Sequence, residues 1–311
     1  MFKKLLASSH LPLAVCMLIM LINNAQAQYS IPKFDVQGHR GARGLMPENS
    51  IAGFKMALDS GVTTLEMDLA VTKDKQLVVS HEPWMNFRIC LDPSGNSIDS
   101  LQGIRTNIFQ LTYEQVKQWD CGSIGNFHFP NQQKIKSTKP LLKDVINEVE
   151  THIKSYSRYE VDYNNEIKTD PRGDNRYYPS VEEFCELVIK TISEHLPLQR
   201  VIIQSFDFRV LKYLHKHYPL VRLSALIESP SHPKQMLNEL GFTPEIYSPN
   251  FQSLNAEQIK FLHRQKISGN KKRYMRVIPW TVNSAKDLRA IAKDGVDGVI
   301  TDYPNRAKAL K

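Results

Sequence analysis

Cysteine is scarce in this 311-residue chain: there are four, and none stands at the C-x-x-C spacing that would suggest a zinc site. Long apolar runs are scarce as well. Beyond residue 27 no segment approaches the roughly 18 apolar residues that a membrane span requires, so no stable span is expected. A dense Lys/Arg tract with interleaved aromatics is missing, which sets nucleic acid aside as a partner. Lys271-Lys272-Arg273 comes nearest and reads as a solvated loop. The glycine fingerprint of a dinucleotide fold is missing too, because Gly38-His39-Arg40-Gly41 does not fit G-x-G-x-x-G. The chain has no internal repeat and no low-complexity tract.

What is present begins with a leader. Lys3 and Lys4 precede a nearly continuous apolar stretch from Leu11 to Ile22, and Ala25-Gln26-Ala27 supplies small residues at cleavage spacing. The pattern predicts a secretory signal peptide over residues 1–27 and an exported mature domain, periplasmic or secreted, over 28–311, with an uncleaved anchor as the alternative. Removing the leader lowers Lys+Arg from 40 to 38 against 32 acids, a net charge of +6 that suits an anionic substrate. Cys16 leaves with it. Export permits disulfides. Of Cys90, Cys121 and Cys185, the first two flank one loop-rich segment and are the favoured pair, against the alternative of three free thiols.

Apolar strand-like runs alternate with helical patterns along most of the chain. Expected strands are Phe34 to Gly38, Thr63 to Leu69, Tyr159 to Ile167, Val201 to Ser205, Arg222 to Ile227, Glu245 to Ser248, Val277 to Val282 and Gly298 to Thr301. A short extra strand, Leu77 to Ser80, follows the second of them. Helices are expected over 50–60, 141–155, 181–194, 208–217, 233–240 and 256–265, with a last one opening at the capping-box spacing of Ser284 and Asp287. Eight such alternations in one domain predict an α/β (β/α)8 TIM barrel, with an open doubly wound sheet as the alternative. Residues from about 83 to 138 break the rhythm with Pro, Gly and Asn. They read as an insertion after the second strand and its hairpin, containing a short helix near Thr112 to Asp120.

In such a barrel, functional groups gather at the C-terminal strand ends. His39 and Arg40 follow strand one. Glu66 and Asp68, two apart near the end of strand two, share one face. Glu166 and Lys168 repeat that spacing on strand three. Three inward acids at one mouth point to a hard divalent cation, Ca2+ or Mg2+. A single buried carboxylate with its neighbour at the rim, and a plain Glu166–Lys168 surface pair, are the plainer readings. His39 and His81 each end an apolar run, which suits an acid–base pair, whereas His128, His152, His195, His215, His217, His232 and His263 read as ordinary. Arg40 offers a planar fork for phosphate oxygens and Lys168 a further phosphate contact. Glu48 and Asn49 start the first helix and support the site or simply cap that helix. Gln204 could donate to substrate, and Trp280 either walls the pocket or packs. Together these residues describe a metal-dependent phosphodiesterase.

The set resembles the glycerophosphodiester phosphodiesterase family. The likeness is carried by His39-Arg40-Gly41 with Pro47-Glu48-Asn49, Glu66-Met67-Asp68, His81, Glu166-Ile167-Lys168, Gln204-Ser205-Phe206, Trp280-Thr281-Val282-Asn283 and Thr301-Asp302, in order from about Val36 to Tyr303. Glu82 stands where the family usually has aspartate, and Asn165 where a small apolar residue is commoner. The resemblance implies a phospholipase-C-like barrel with an added segment after His81. It implies a divalent cation held by Glu66, Asp68 and Glu166, with His39 and His81 as acid and base. It also implies hydrolysis of small glycerophosphodiesters to sn-glycerol 3-phosphate and an alcohol. The alternatives are a phospholipase D acting on sphingomyelin or lysolipids, for which Phe87, Trp119, Phe127 and Phe129 of the insertion would form an apolar loop, an exported binding protein without turnover, and a basic protein that docks on anionic surfaces.

Overall fold

The computed structural model describes residues 31–156, 160–228, 232–270 and 272–310. The expected leader lies outside them. The described residues of the compact unit Lys33–Lys311 hold nine strands: β1 Asp35–Gly38, β2 Thr64–Val71, β3 Leu77–Val79, β4 Asp162–Ile167, β5 Val201–Ser205, β6 Arg222–Ile227, β7 Ile246–Pro249, β8 Arg276–Val277 and β9 Gly298–Thr301. Eight of them run parallel in the order β8-β7-β6-β5-β4-β2-β1-β9, while β3 pairs antiparallel with β2. Backbone bonds from Asp297 N to Val277 O, Ile300 N to Pro279 O and Val282 N to Ile300 O, each 2.9 Å, link the two ends. The result is a nearly closed eight-stranded α/β barrel. The strand expected over Val277 to Val282 pairs regularly only at its start. Pro279 has no N–H to continue the ladder, and the chain proceeds by single bonds to its neighbours.

The long barrel strands are buried on both faces, and the alternation divides their residues cleanly. On β2, Leu65, Met67 and Leu69 face outward into the large core between sheet and helices. Thr64, Glu66 and Asp68 therefore face inward. Around the barrel the inward residues fall into two sectors. Ile202, Ile246, Ile278 and Ile300 form an apolar sector against Trp280. The other sector is polar, and hydrogen bonds link its members across strands. Thr64 Oγ1 donates to Asp35 at 2.7 Å, Gln37 Nε2 to Asp35 at 2.9 Å, and Asn164 Nδ2 to both Gln37 and Gln204 at 2.7 and 2.8 Å.

The surrounding helices are α1 Ile51–Asp59, α4 Leu142–Tyr156, α5 Val181–Ser193, α6 Phe208–His217, α7 Pro233–Leu240, α8 Ala256–Leu262 and α9 Ala285–Lys293. Side-chain caps start most of them, such as Ser50 on Gly53 N and Ser284 on Asp287 N. The insertion carries two short helices, α2 Ser100–Arg105 and α3 Tyr113–Val116. The latter is all that forms of the helix expected over 112–120. Helix α2 has no apolar stripe facing a core, since Leu101 and Ile104 are exposed. Its one local signal is the reciprocal Asp99–Gln102 capping box. A small apolar core, in which Met85, Ile89, Ile108 and Val116 pack with Ala70 of β2 and Val78 of β3, holds the insertion, together with a Cys90–Cys121 disulfide; Cys185 is free and buried. Of the four aromatics expected to form an apolar loop, Phe127 is exposed. Phe129 is buried and Trp119 packs against the insertion's core.

Phe54 on α1 is fully buried in the large core. Phe54→Ala should lower unfolding free energy by about 3–5 kcal/mol in urea titrations.

Candidate active site

The mouth is built on the turn after β1. Arg40 and Gly41 both take positive φ, 50° and 84°, and a Cβ on Gly41 would lie 2.7 Å from the backbone carbon of Gly53. This tight crossing over the start of α1 aims the Arg40 N–H at Glu66 Oε2, 2.7 Å away. The Arg40 guanidinium reaches back to Glu48 Oε1 at 2.9 Å and stands 3.4 Å from Asp68 Oδ2. Asn49, also at positive φ, donates its amide to Asp68 Oδ2 at 2.8 Å.

Glu66, Asp68 and Glu166 converge: one carboxylate oxygen from each lies within 4.8 Å of the other two, and all three residues are buried. Lys168 Nζ bridges Glu166 at 2.6 Å and Asp68 at 3.2 Å. Gln204 Nε2 donates to Glu66 Oε1 at 2.8 Å. Desolvation, then the charges of Asp68 and Glu166, push the Glu66 carboxyl well above its ordinary range. Burial acts on Asp68 in the same direction, but Lys168 and Arg40 overcome it and hold that carboxyl well below. Glu166 is raised, chiefly by burial. The donor set is oxygen only, and Asp68 Oδ1 is buried with no hydrogen bond beyond its ion pair to Lys168. Those features fit a hard divalent cation.

Each imidazole of interest has a carboxylate on Nδ1. His39 Nδ1 lies 2.7 Å from Asp302 Oδ1, and His81 Nδ1 lies 2.9 Å from Glu82 Oε1. Asp302 also accepts from Arg43 Nε at 2.8 Å and from Asn283 Nδ2 at 2.7 Å. Burial would raise Asp302, yet His39 and Arg43 hold it well below the usual carboxylate range. Desolvation, then the Arg43 charge, pushes His39 down to about 4 against the pull of Asp302. His39 is therefore neutral near pH 7. An ionised Asp302 only accepts hydrogen bonds, so the proton sits on Nδ1 and the lone pair on Nε2. Glu82 is held down at about 2: burial opposes this, and the His81 hydrogen bond and charge outweigh it.

A cavity of about 250 Å3 gathers these groups. His39, Arg40, Glu66, His81, Glu166, Lys168, Gln204 and Trp280 all line it, while Asp68 sits behind them. Gln204 is clamped by protein at both ends of its amide, donating to Glu66 and accepting from Asn164. Trp280 both walls the cavity and packs, its Nε1 donating to Ser248 O at 2.9 Å. Sequence reasoning named Asp302 and Glu82 only through the family resemblance and gave Arg43, Lys139 and Asn164 no role. Asp302 directly follows an apolar strand, the same signal that singled out His39. Lys139 is buried on Ser80 Oγ at 2.8 Å at the close of the insertion and belongs to no local pattern.

The sequence profile of the glycerophosphoryl diester phosphodiesterase family matches residues 39–306. The chain belongs to that family. A relative named glycerophosphodiester phosphodiesterase from Bacillus altitudinis is 29% identical over 276 residues, covering 88% of this chain and 96% of that protein. A human protein named lysophospholipase D is 23% identical, covering 87% and 83%. Among solved structures, one assigned to a glycerophosphoryl diester phosphodiesterase from Silicibacter pomeroyi DSS-3 superposes with a TM-score of 0.76 at 26% identity, covering 90% of this chain and 94% of that one. An Oleispira antarctica phosphodiesterase, solved with its product sn-glycerol-3-phosphate, shares the fold with a TM-score of 0.67 at 19% identity, covering 89% and 96%.

Affinity in oxygen-ligand sites follows the number of charged ligands. Glu66→Ala should therefore weaken Ca2+ or Mg2+ binding at least about tenfold in calorimetric titrations. An affinity equal to the parent's would remove Glu66 from the ligand set.

Proposed function

We propose that this family member hydrolyses glycerophosphodiesters to sn-glycerol 3-phosphate and an alcohol, with a divalent cation, Ca2+ or Mg2+, and with His39 and His81 as acid–base pair. One observation carries the reading: two carboxylate-paired imidazoles face the same cavity as the acid cluster and the Arg40 and Lys168 cations. Family membership and the names of its relatives support the substrate class.

Held by Glu66, Asp68 and Glu166, the cation would supply Lewis-acid polarisation of a phosphoryl oxygen. Arg40 and Lys168 add fixed positive charge at the same mouth, where negative charge grows during displacement at phosphorus. His39, neutral with its lone pair on Nε2, takes the proton of the attacking hydroxyl. His81, oriented by Glu82, returns a proton to the leaving alkoxide. The attacking group is the glycerol hydroxyl beside the ester in one route and water in the other, and a transient cyclic phosphate in phosphorus NMR distinguishes them.

Choline release from glycerophosphocholine by the purified protein, abolished by chelator, is the deciding assay. Turnover of lysophosphatidylcholine without turnover of glycerophosphocholine would favour the phospholipase D reading instead. We further propose that residues 1–27 direct export, a reading that the Cys90–Cys121 disulfide supports. The secreted form should begin at Gln28.

His39→Ala and His81→Ala should each lower kcat about 10²–10⁴-fold with the unfolding midpoint unchanged. Acid–base work by His39 requires its neutral form, which is lost only as pH falls through about 4. The His39 imidazole should accordingly titrate near pH 4 when followed by NMR, and a midpoint near the ordinary value of about 6.5 would remove the basis for its neutral form.

A further inference from the structure

Glu228 follows the end of β6 and lines the same cavity as His39, His81 and Lys168. It is exposed to solvent, and among the described residues it has no ion-pair or hydrogen-bond partner. That separates it from the other acids of the cavity, since Glu66 is hydrogen-bonded by Arg40 N and Gln204, and Glu166 by Lys168. The cavity's own cations are engaged as well: Arg40 by Glu48, Arg43 by Asp302 and Lys168 by Glu166. Glu228 is thus the cavity carboxylate that the described residues leave unneutralised.

Two aromatic rings share this cavity. Phe206 and Trp280 stand with centroids 5.5 Å apart and planes at 90°. Phe206 is 41% exposed. Trp280 lines the cavity and spends its single N–H on Ser248 O, so the indole has no donor left for a ligand there. Leu226 and Ile300 contribute aliphatic wall. Two aromatic rings packed edge to face, aliphatic groups and one free carboxylate complement a group that is apolar on its outside and positive at its centre. A polyhydroxylated alcohol would meet few partners on those walls. At about 250 Å3 the cavity falls just below the ordinary small-molecule range of about 300–1,000 Å3, which favours a compact head group over a long chain.

We infer that the alcohol portion of the substrate is a small quaternary ammonium alcohol of the choline type, read by Glu228 together with Phe206 and Trp280. The inference rests on the proposed hydrolysis for the ester, whereas the ammonium subsite is a property of the cavity and can be measured apart from turnover.

The test has two arms. In the first, kcat/KM is measured for glycerophosphocholine and for glycerophosphoglycerol, whose alcohol is uncharged, on the parent and on Glu228→Gln. The substitution keeps the shape of the side chain and an acceptor oxygen and removes only the charge, so the choline-to-glycerol preference should fall about tenfold. Equal losses on both substrates, or no loss on either, would overturn the inference. In the second arm, calorimetry compares phosphocholine with inorganic phosphate on both proteins. The parent should bind phosphocholine more tightly, and Glu228→Gln should lose most of that advantage. A parent that does not distinguish the two ligands overturns the subsite even if it is a hydrolase. A parent that distinguishes them but cleaves neither diester keeps the subsite and removes the proposed hydrolysis.

Discussion

Three carboxylates crowded into one buried mouth constrain everything around them. Glu66, Asp68 and Glu166 would repel one another if left bare, and burial magnifies that repulsion. The protein answers with positive groups and donors at fixed positions. Arg40 and Lys168 flank Asp68, Asn49 donates to it, and the Arg40 N–H and Gln204 amide occupy the two oxygens of Glu66. The outcome is uneven: Asp68 is driven toward ionisation and Glu66 toward protonation. The turn that makes this possible has two successive residues at positive φ, and the second must be glycine because α1 passes against it.

The polar sector of the barrel extends that arrangement inward. Asn164 donates to Gln204 Oε1, so the Gln204 NH2 group must face Glu66, and Asn164 is held in turn through Gln37 to Asp35 and Thr64. A flipped Gln204 amide would set oxygen against oxygen at Glu66 and nitrogen against nitrogen at Asn164. Each member of the chain has one workable orientation, which limits what a barrel-floor substitution can leave undisturbed.

Much of this was legible before any coordinates. The barrel strands are apolar runs with period-two interruptions, and α6 and α7 begin and end where their apolar periodicity does. The acids stand out because carboxylates two apart on a buried strand need a reason. The insertion was legible as a break in rhythm but not in detail. Helix α2 turns Leu101 and Ile104 to solvent, and α3 stops after four residues, so neither leaves a helical stripe. Arg43, Lys139 and Asn164 escaped for a different reason. Their roles depend on partners from distant parts of the chain, and a basic residue or an amide in isolation has many ordinary explanations. The second function of Gln204, as a clamp rather than a free donor, is likewise visible only once Asn164 is beside it.

His39 and the carboxylate that sets its tautomer lie 263 residues apart, one just past the first strand and the other just past the last. They meet only at the seam where β9 docks on β1. A chain interrupted before β9 would carry all three acids and both imidazoles, yet the His39 ring would be free to swing and to protonate on either nitrogen. Completion of the polypeptide is thus built into this pairing, and a fragment that ends before β9 lacks the carboxylate that orients His39.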